Sequence, residues 1–390
     1  MSRWGLPALA GIVYYFSNPR PASYFDYTLR VASALLEGRL GPAARPPPWL
    51  NEFIPFGGSY YSVFPLGAVL TMLPLAVLKK LGGLHGMPSA ALAAVLAAAI
   101  ASFTFLLAGR HGDSLSRRVT LTVLAVFGTW TWCNLAYGGA WQLALGFAVA
   151  GQLGALHFVL VRPRPLVAGA FFALAFGNRA ETAVVLPVFL YLLWRQRSGH
   201  GRAAVRPLLT FSAPFALLAG ATLAYNHARF GAFWDFGYTR IPQIREEAWF
   251  QHGLFTVHAI GRNAHEMLWR PWRLLSRPPY LVPYGFGGSI FLSCPYLVFL
   301  LRGGARQPEV KRAAWAAILL ITAVLWLHAN PGGWQYSYRY GMLLLPWVGL
   351  VLLEPSPPRP TRGELVLLGV SVAINAYATW LYLWTGWMWP

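Results

Sequence analysis

Charged side chains are scarce in this 390-residue sequence, and the few set among apolar neighbours are the first candidates for chemistry. Asp26 and Arg30 lie one helical turn apart in FDYTLRVASALLEGRL. A carboxylate at a membrane surface, above an apolar helix face, can take a proton from an attacking sugar or protein hydroxyl. The same two residues can instead form an i,i+4 contact worth only roughly a few tenths of a kcal/mol. Arg179 and Glu181 interrupt the longest apolar run, FALAFGNRAETAVVLP. Ionisable groups at that depth face a partner or a cavity. Either the two neutralise each other, or Gly177 loosens the helix and lets the Arg179 guanidinium reach a phosphate.

Arg339, in GGWQYSYRYGMLLLP, opens an apolar run among aromatics, where a snorkelling anchor and an anion ligand are both open readings. Arg229, Arg240 and Arg245 follow AYNHARFGAFWDFGYTR and can meet an anionic headgroup. The histidines of that stretch, His227, His252, His258 and His265, lack metal-ligand spacing, so no metal site is expected. Most of the 18 Trp and 18 Tyr read as interfacial anchors. Trp49, Tyr60, Tyr61, Trp234 and Trp334 stand in loops, where flat rings can stack on a sugar. No Gly-rich nucleotide-binding motif is present, so an activated donor is expected to arrive through the membrane. Cys133 and Cys294 lie in apolar segments and suggest neither a bridge nor a cluster.

The elements that must position these residues follow from composition. Hydrophobic residues make up 56% and charged residues 11%, and the mean hydropathy is +0.47, values that a water-soluble surface does not accommodate. The chain reads as one all-α polytopic membrane domain, 1–390. The formal charge of +19 is dispersed through short loops rather than gathered on one face, which excludes a nucleic-acid-binding reading and fits loop cations that orient the chain.

Apolar runs near 4–16, 63–81, 88–108, 119–136, 141–161, 165–194, 206–225, 283–301, 313–328, 338–353 and 364–384 give about 11 transmembrane helices. Trp4–Phe16 is expected to stay as a first helix rather than leave as a signal peptide. With the N-terminus inside, Arg195–Arg206, Arg302–Arg312 and Pro355–Arg362 fall on the cytoplasmic side. The count sends Arg110–Arg118 and Arg162–Arg164 outside. Two long extracytoplasmic loops, 17–62 and 226–282, then share the outer face and hold seven of the twelve acidic residues, Asp26, Glu37, Glu52, Asp235, Glu246, Glu247 and Glu266. Within the first, Tyr24–Leu40 predicts an amphipathic juxtamembrane helix, with Phe25, Leu29, Ala32, Leu36 and Leu40 opposite Asp26, Arg30, Ser33 and Glu37.

Together with GGSYYSVFPLGAVLTMLPL, GNRAETAVVLPVFLYLL, LAYNHARFGAFWDFGY and GGWQYSYRYGMLLLPWVGL, the first-loop stretch resembles the GT-C superfamily of integral-membrane glycosyltransferases, in particular bacterial relatives of the dolichyl-phosphate-mannose protein mannosyltransferases. The resemblance implies an inverting transfer of sugar from a polyprenyl-phosphate donor to a hydroxyl acceptor of a glycan, lipid or protein, outside a bacterial cytoplasmic membrane. It makes Asp26 the general base, with Glu52 a substitute for the second acid of the family pattern. Arg179 becomes the donor-phosphate ligand, with Arg30, Arg229 and Arg339 as further candidates, and Tyr60, Tyr61 and Trp234 contact sugar or acceptor. The chain departs from the pattern where Tyr27 follows Asp26 and where Pro65-Leu66-Gly67 replaces a Pro-Pro-Gly. No cofactor is required; a divalent metal is compatible with the electrostatics but not demanded by them. The rival expectation is a lipid-linked sugar flippase or small-molecule transporter, and a third is a structural subunit without activity.

Overall fold

The computed structural model describes residues 4–196 and 205–388, so most of the loop Arg195–Arg206 lies outside the described residues. Five helices are long and apolar enough to cross a membrane: α5 (Ser89–Leu107), α8 (Ala140–Leu160), α11 (Val205–Phe230), α14 (Pro308–Leu327) and α16 (Arg362–Trp384). The pair α6 (Leu115–Phe127) and α7 (Thr131–Tyr137) makes a sixth, bent by 48°. Shorter elements complete the bundle: α1 (Gly5–Phe16), α2 (Tyr27–Leu35), α3 (Leu66–Thr71), α4 (Leu73–Lys80), α9 (Pro165–Asn178), α10 (Leu186–Arg195), α12 (Ile260–Leu268), α13 (Ile290–Ser293) and α15 (Leu345–Leu353). Three two-stranded sheets decorate the loops, β1 (Phe53–Phe56) with β2 (Ser59–Ser62), β3 (Arg273–Leu274) with β4 (Leu281–Val282), and β5 (Phe286–Gly287) with β6 (Gln335–Tyr336). The protein is an all-α membrane protein with small strand pairs at one end.

Helix α8 is the centre, because its small residues admit close neighbours. A Cβ on Gly151 would stand 2.7 Å from the Phe171 carbonyl, and one on Gly154 would meet the Phe171 ring at 2.5 Å. Its polar Gln152 is fully buried but satisfied, donating to the Leu343 carbonyl and accepting from Trp347 Nε1 at 2.7 Å. By contrast, α11 keeps most of its apolar surface exposed, as a helix facing lipid does.

The run 165–194, expected as one helix, is two. Helix α9 ends at Asn178, whose Nδ2 donates to Thr71 Oγ1 and the Leu174 carbonyl. Arg179 is extended, a 3-10 turn follows over Ala180–Val185, and α10 returns. Both ends of this helical hairpin lie together, since Gln196 Nε2 donates to the Val159 carbonyl at 2.5 Å and Arg195 pairs with Glu309 at 3.4 Å. Arg179 is therefore at the apex. Conversely, 63–81 does not form one span: it divides at Met72 into helices of 6 and 8 residues, too short to cross.

These two changes relocate the cationic loops. Arg110 donates to Glu354 (3.0 Å) and Gln307 (2.6 Å), Arg117 grips Glu364 through two nitrogens at 2.7 and 2.8 Å, and Arg306 reaches Asp113 at 2.8 Å. Loops 108–118, 302–312 and 354–362 thus form one polar layer, not the opposed pair that the span count predicted, and 161–164 joins them beside Val159. The opposite end gathers 17–62 and 231–289. There Tyr225 Oη donates to the Leu40 carbonyl, Asn18 Nδ2 to that of Ala136, and Trp384 Nε1 to that of Ser17.

Candidate functional site

The predicted helix Tyr24–Leu40 is shorter, Tyr27–Leu35, and ends where Gly38 takes φ +72. It does not lie with one face in lipid. Tyr27, Thr28, Leu29, Val31, Ala32 and Ala34 are all buried beneath α3, α4 and β2. Asp26 precedes it, buried, with Oδ1 accepting from Arg30 Nε at 2.6 Å. That carboxylate already has its cation, and Arg30 its anion.

Glu52 is placed differently. The turn Pro47–Phe53 carries it against Trp141, whose Nε1 donates to Oε2 at 2.8 Å. Trp141 is edge-on to Phe25 (4.9 Å) and Tyr27 (5.1 Å) and packs near Phe64, so an aromatic wall surrounds the acid. Glu52 is half-buried. Burial pushes its carboxyl up to about 7; the Trp141 hydrogen bond and the fields of Arg339 and Arg179 oppose that shift, and Glu247 adds to it.

Near Glu52, whose carboxyl feels both of their charges, Arg179 and Arg339 converge on Tyr340. Their guanidinium carbons stand 4.8 and 5.2 Å from its ring centroid, within cation–π reach. The turn Gln335–Arg339 holds the second, with the Arg339 backbone N–H donating to Gln335 Oε1 at 2.9 Å. Arg339 is only 5% exposed, and both Nε atoms are buried without a hydrogen-bond partner. Glu181 pairs with Arg179 but leaves those donors free. His328 and Tyr238 close the group, His328 lying 6.0 Å from Tyr340 and 6.4 Å from Tyr238. Burial and the neighbouring Tyr340 and Glu52 charges raise the Tyr238 hydroxyl's pKa.

The structure thus brings Glu52, Arg179 and Arg339 together and sets the other candidates apart. Arg229 donates to the Ser62 carbonyl and Asn226 Oδ1, both at 2.7 Å, which ties the β1–β2 hairpin to α11. Tyr61 packs edge-on to Phe230 at 5.4 Å, Tyr60 donates its backbone N–H to the Pro42 carbonyl, and Trp234 stands 78% exposed beyond α11. Trp141, Tyr238, His328 and Tyr340 were not singled out from sequence. Only Tyr340 had a signal, its position beside Arg339.

Among the described residues no cluster of three metal-ligating side chains occurs. A cavity between α5, α6, α8 and α15 is apolar, and no ionisable group lines it. The polar side chains able to do chemistry lie elsewhere, around Glu52, Arg179 and Arg339. Two guanidiniums with spare donors can hold an oxyanion, and a carboxyl ionising near neutrality can take a proton beside it. No family model, curated protein or solved structure matches this chain.

Proposed function

We propose that the protein is a membrane glycosyltransferase of the GT-C kind that moves sugar from a polyprenyl-phosphate donor to a hydroxyl acceptor, with inversion. The observation that carries this reading is the meeting of Arg179 and Arg339 over Tyr340, each with a buried unpartnered Nε, opposite a carboxyl tuned to about 7. Glu52, rather than Asp26, takes the acceptor's proton. The acceptor oxygen forms its bond to the anomeric carbon from the face opposite the phosphate. The carbon–oxygen bond to phosphate breaks, and its electron pair stays on the departing polyprenyl phosphate, whose charge the two guanidiniums stabilise. No cofactor is required for these steps.

The same proposal gives the chain eleven passages: α1, α5, α6–α7, α8, α9, α10, α11, residues 290–301, α14, residues 339–353 and α16. The loss of 63–81 as a span and the division of 165–194 offset each other. The Arg-rich end then faces the cytoplasm under the positive-inside rule, and the end with Glu52, Arg179 and Arg339 faces outside, as in a bacterial inner membrane. Buried ion pairs close the cytoplasmic end, which favours an enzyme served from one side over a flippase.

The test incubates purified wild type, Glu52→Gln and Asp26→Asn with a polyprenyl-phosphate sugar and a short glycan acceptor. Free polyprenyl phosphate from wild type and Asp26→Asn but not from Glu52→Gln is the expected result. Transfer by none, with intact donor crossing vesicles equally in all three, would establish the flippase instead.

A further inference from the structure

The outer loop 231–289 exposes several large apolar side chains, and in one hairpin they stand beside exposed arginines. In the β3–β4 hairpin Leu274 is 84% exposed, Tyr280 58%, and Leu275 and Leu281 each 42%. Arg273 and Arg277 are exposed in the same hairpin, and neither has a carboxylate partner among the described residues. The turn is internally bonded, with Leu275 N donating to the Tyr280 carbonyl and Tyr280 N to that of Arg277. Its shape is therefore fixed before it meets any partner.

The attachment point gives its depth. Tyr377 Oη donates to the carbonyls of Pro279 and Leu281, at 3.2 and 2.8 Å, and Trp272 stacks on the Tyr377 ring at 6.1 Å. Tyr377, itself half-buried, lies in line with the exposed stripe of α16 that runs through Val366, Val370 and Ala373 to Trp380 and Trp384, the side of that helix turned to lipid in a membrane-embedded bundle. Trp384 marks the outer end of the bundle, where it bonds Ser17. Tyr377 precedes it by about 10 Å of helix axis. Helical side chains lean toward their own N-terminus, so its hydroxyl points deeper still.

We propose that the β3–β4 hairpin is a membrane anchor dipped into the outer leaflet, its Leu and Tyr side chains among acyl chains and Arg273 and Arg277 on anionic headgroup phosphates. Apolar rings and chains at this depth with arginines beside them are the pattern of an interfacial segment. The proposal rests on the membrane embedding and on which end of the bundle is outer. It does not depend on the glycosyltransferase chemistry.

The test places an environment-sensitive fluorophore on Leu274→Cys in the full chain, with Gln251→Cys as the exposed-loop control. Buried Cys133 and Cys294 set the background, measured on the unsubstituted protein. Each protein is reconstituted in phosphatidylcholine vesicles with and without phosphatidylglycerol and challenged with spin-labelled lipid and with iodide. The Leu274 label is expected to be quenched about twofold or more by the lipid quencher and hardly by iodide, with the reverse at Gln251. Phosphatidylglycerol is expected to deepen the lipid quenching, and Arg273→Gln with Arg277→Gln to remove that dependence. Iodide quenching at Leu274 equal to that at Gln251 would overturn the anchor. Shielding from both quenchers would also overturn it, by showing that a second protein surface covers the hairpin. Lipid quenching indifferent to phosphatidylglycerol and to the arginines would overturn the headgroup contact.

Discussion

Trp141 Nε1 donates to Glu52 Oε2 at 2.8 Å, holding in place a carboxyl that the fold prefers to keep protonated. A carboxyl raised from 4.5 to about 7 favours the native state at acid pH. That contribution is lost as pH climbs through the interval, because the native state must then release a proton it binds tightly. Turnover runs the other way, since only the ionised form accepts a proton. In wild type, kcat/KM is expected to rise with pH through about 7 while the melting temperature falls. Glu52→Gln should abolish transfer and stay more stable than wild type at pH 8, by on the order of 1–3 kcal/mol. A pH-independent rate would remove Glu52 from the base role.

Asp26→Asn separates the two acids. Its carboxylate is matched to Arg30 at the start of α2, and loss of a pair of this kind costs about 1 kcal/mol or less. Transfer is expected to remain within about threefold of wild type. A loss as deep as that of Glu52→Gln, at unchanged melting temperature, would return the base role to Asp26.

Arg179→Gln and Arg339→Gln should each weaken binding of polyprenyl phosphate by roughly 10- to 100-fold, the value of about 1.5–3 kcal/mol for a charge-assisted hydrogen bond. Tyr340→Leu removes the ring that both cations face and is expected to weaken binding by a smaller factor, because the charges remain. Isothermal titration in detergent reads all three, and affinity unchanged in both arginine variants would dismiss the anion site.

How much of this was legible depends on whether the signal was local. The apolar character and the two long polar loops are properties of contiguous residues and could be read directly, whereas Gly177-Asn178-Arg179 reads only as a loosened point within a single span, 165–194, that the structure divides. What turns a break into a reversal is a contact between distant glycines. A Cβ on Gly67 would stand 2.3 Å from the Gly177 Cα, so α3 lies directly on the end of α9, and no local pattern reports that. The difference in surroundings between Asp26 and Glu52 is hidden for the same reason. Both are lone acids in one polar loop, and only the partner reaching each, Arg30 one turn away or Trp141 from another helix, distinguishes them.

Gly67→Ala follows from that contact. Its methyl group meets backbone, which cannot rotate aside, so α3 and α9 must separate. The expected cost is about 1–3 kcal/mol. Because Arg179 sits two residues beyond Gly177, donor affinity should fall with stability. A variant that melts early yet binds polyprenyl phosphate normally would show that α3 does not position Arg179.

At the opposite end, Arg117 is fully buried and its bidentate grip on Glu364 is shared with Arg302 at 3.1 Å and Tyr296 Oη at 3.2 Å. Removing one partner leaves a charge with no water to receive it, so Arg117→Met should destabilise by about 3–5 kcal/mol. Arg117→Met with Glu364→Met removes both charges and should recover much of that loss. The positive charge of Arg302 then keeps part of the cost in place, because its own anion is gone. Melting curves of wild type, Arg117→Met, Glu364→Met and the double variant give the coupling between the two residues directly. If the polar layer only fastens the helix ends, transfer by the double variant at low temperature should match wild type. If the layer opens during a transport cycle, that variant should move donor across vesicles faster than wild type.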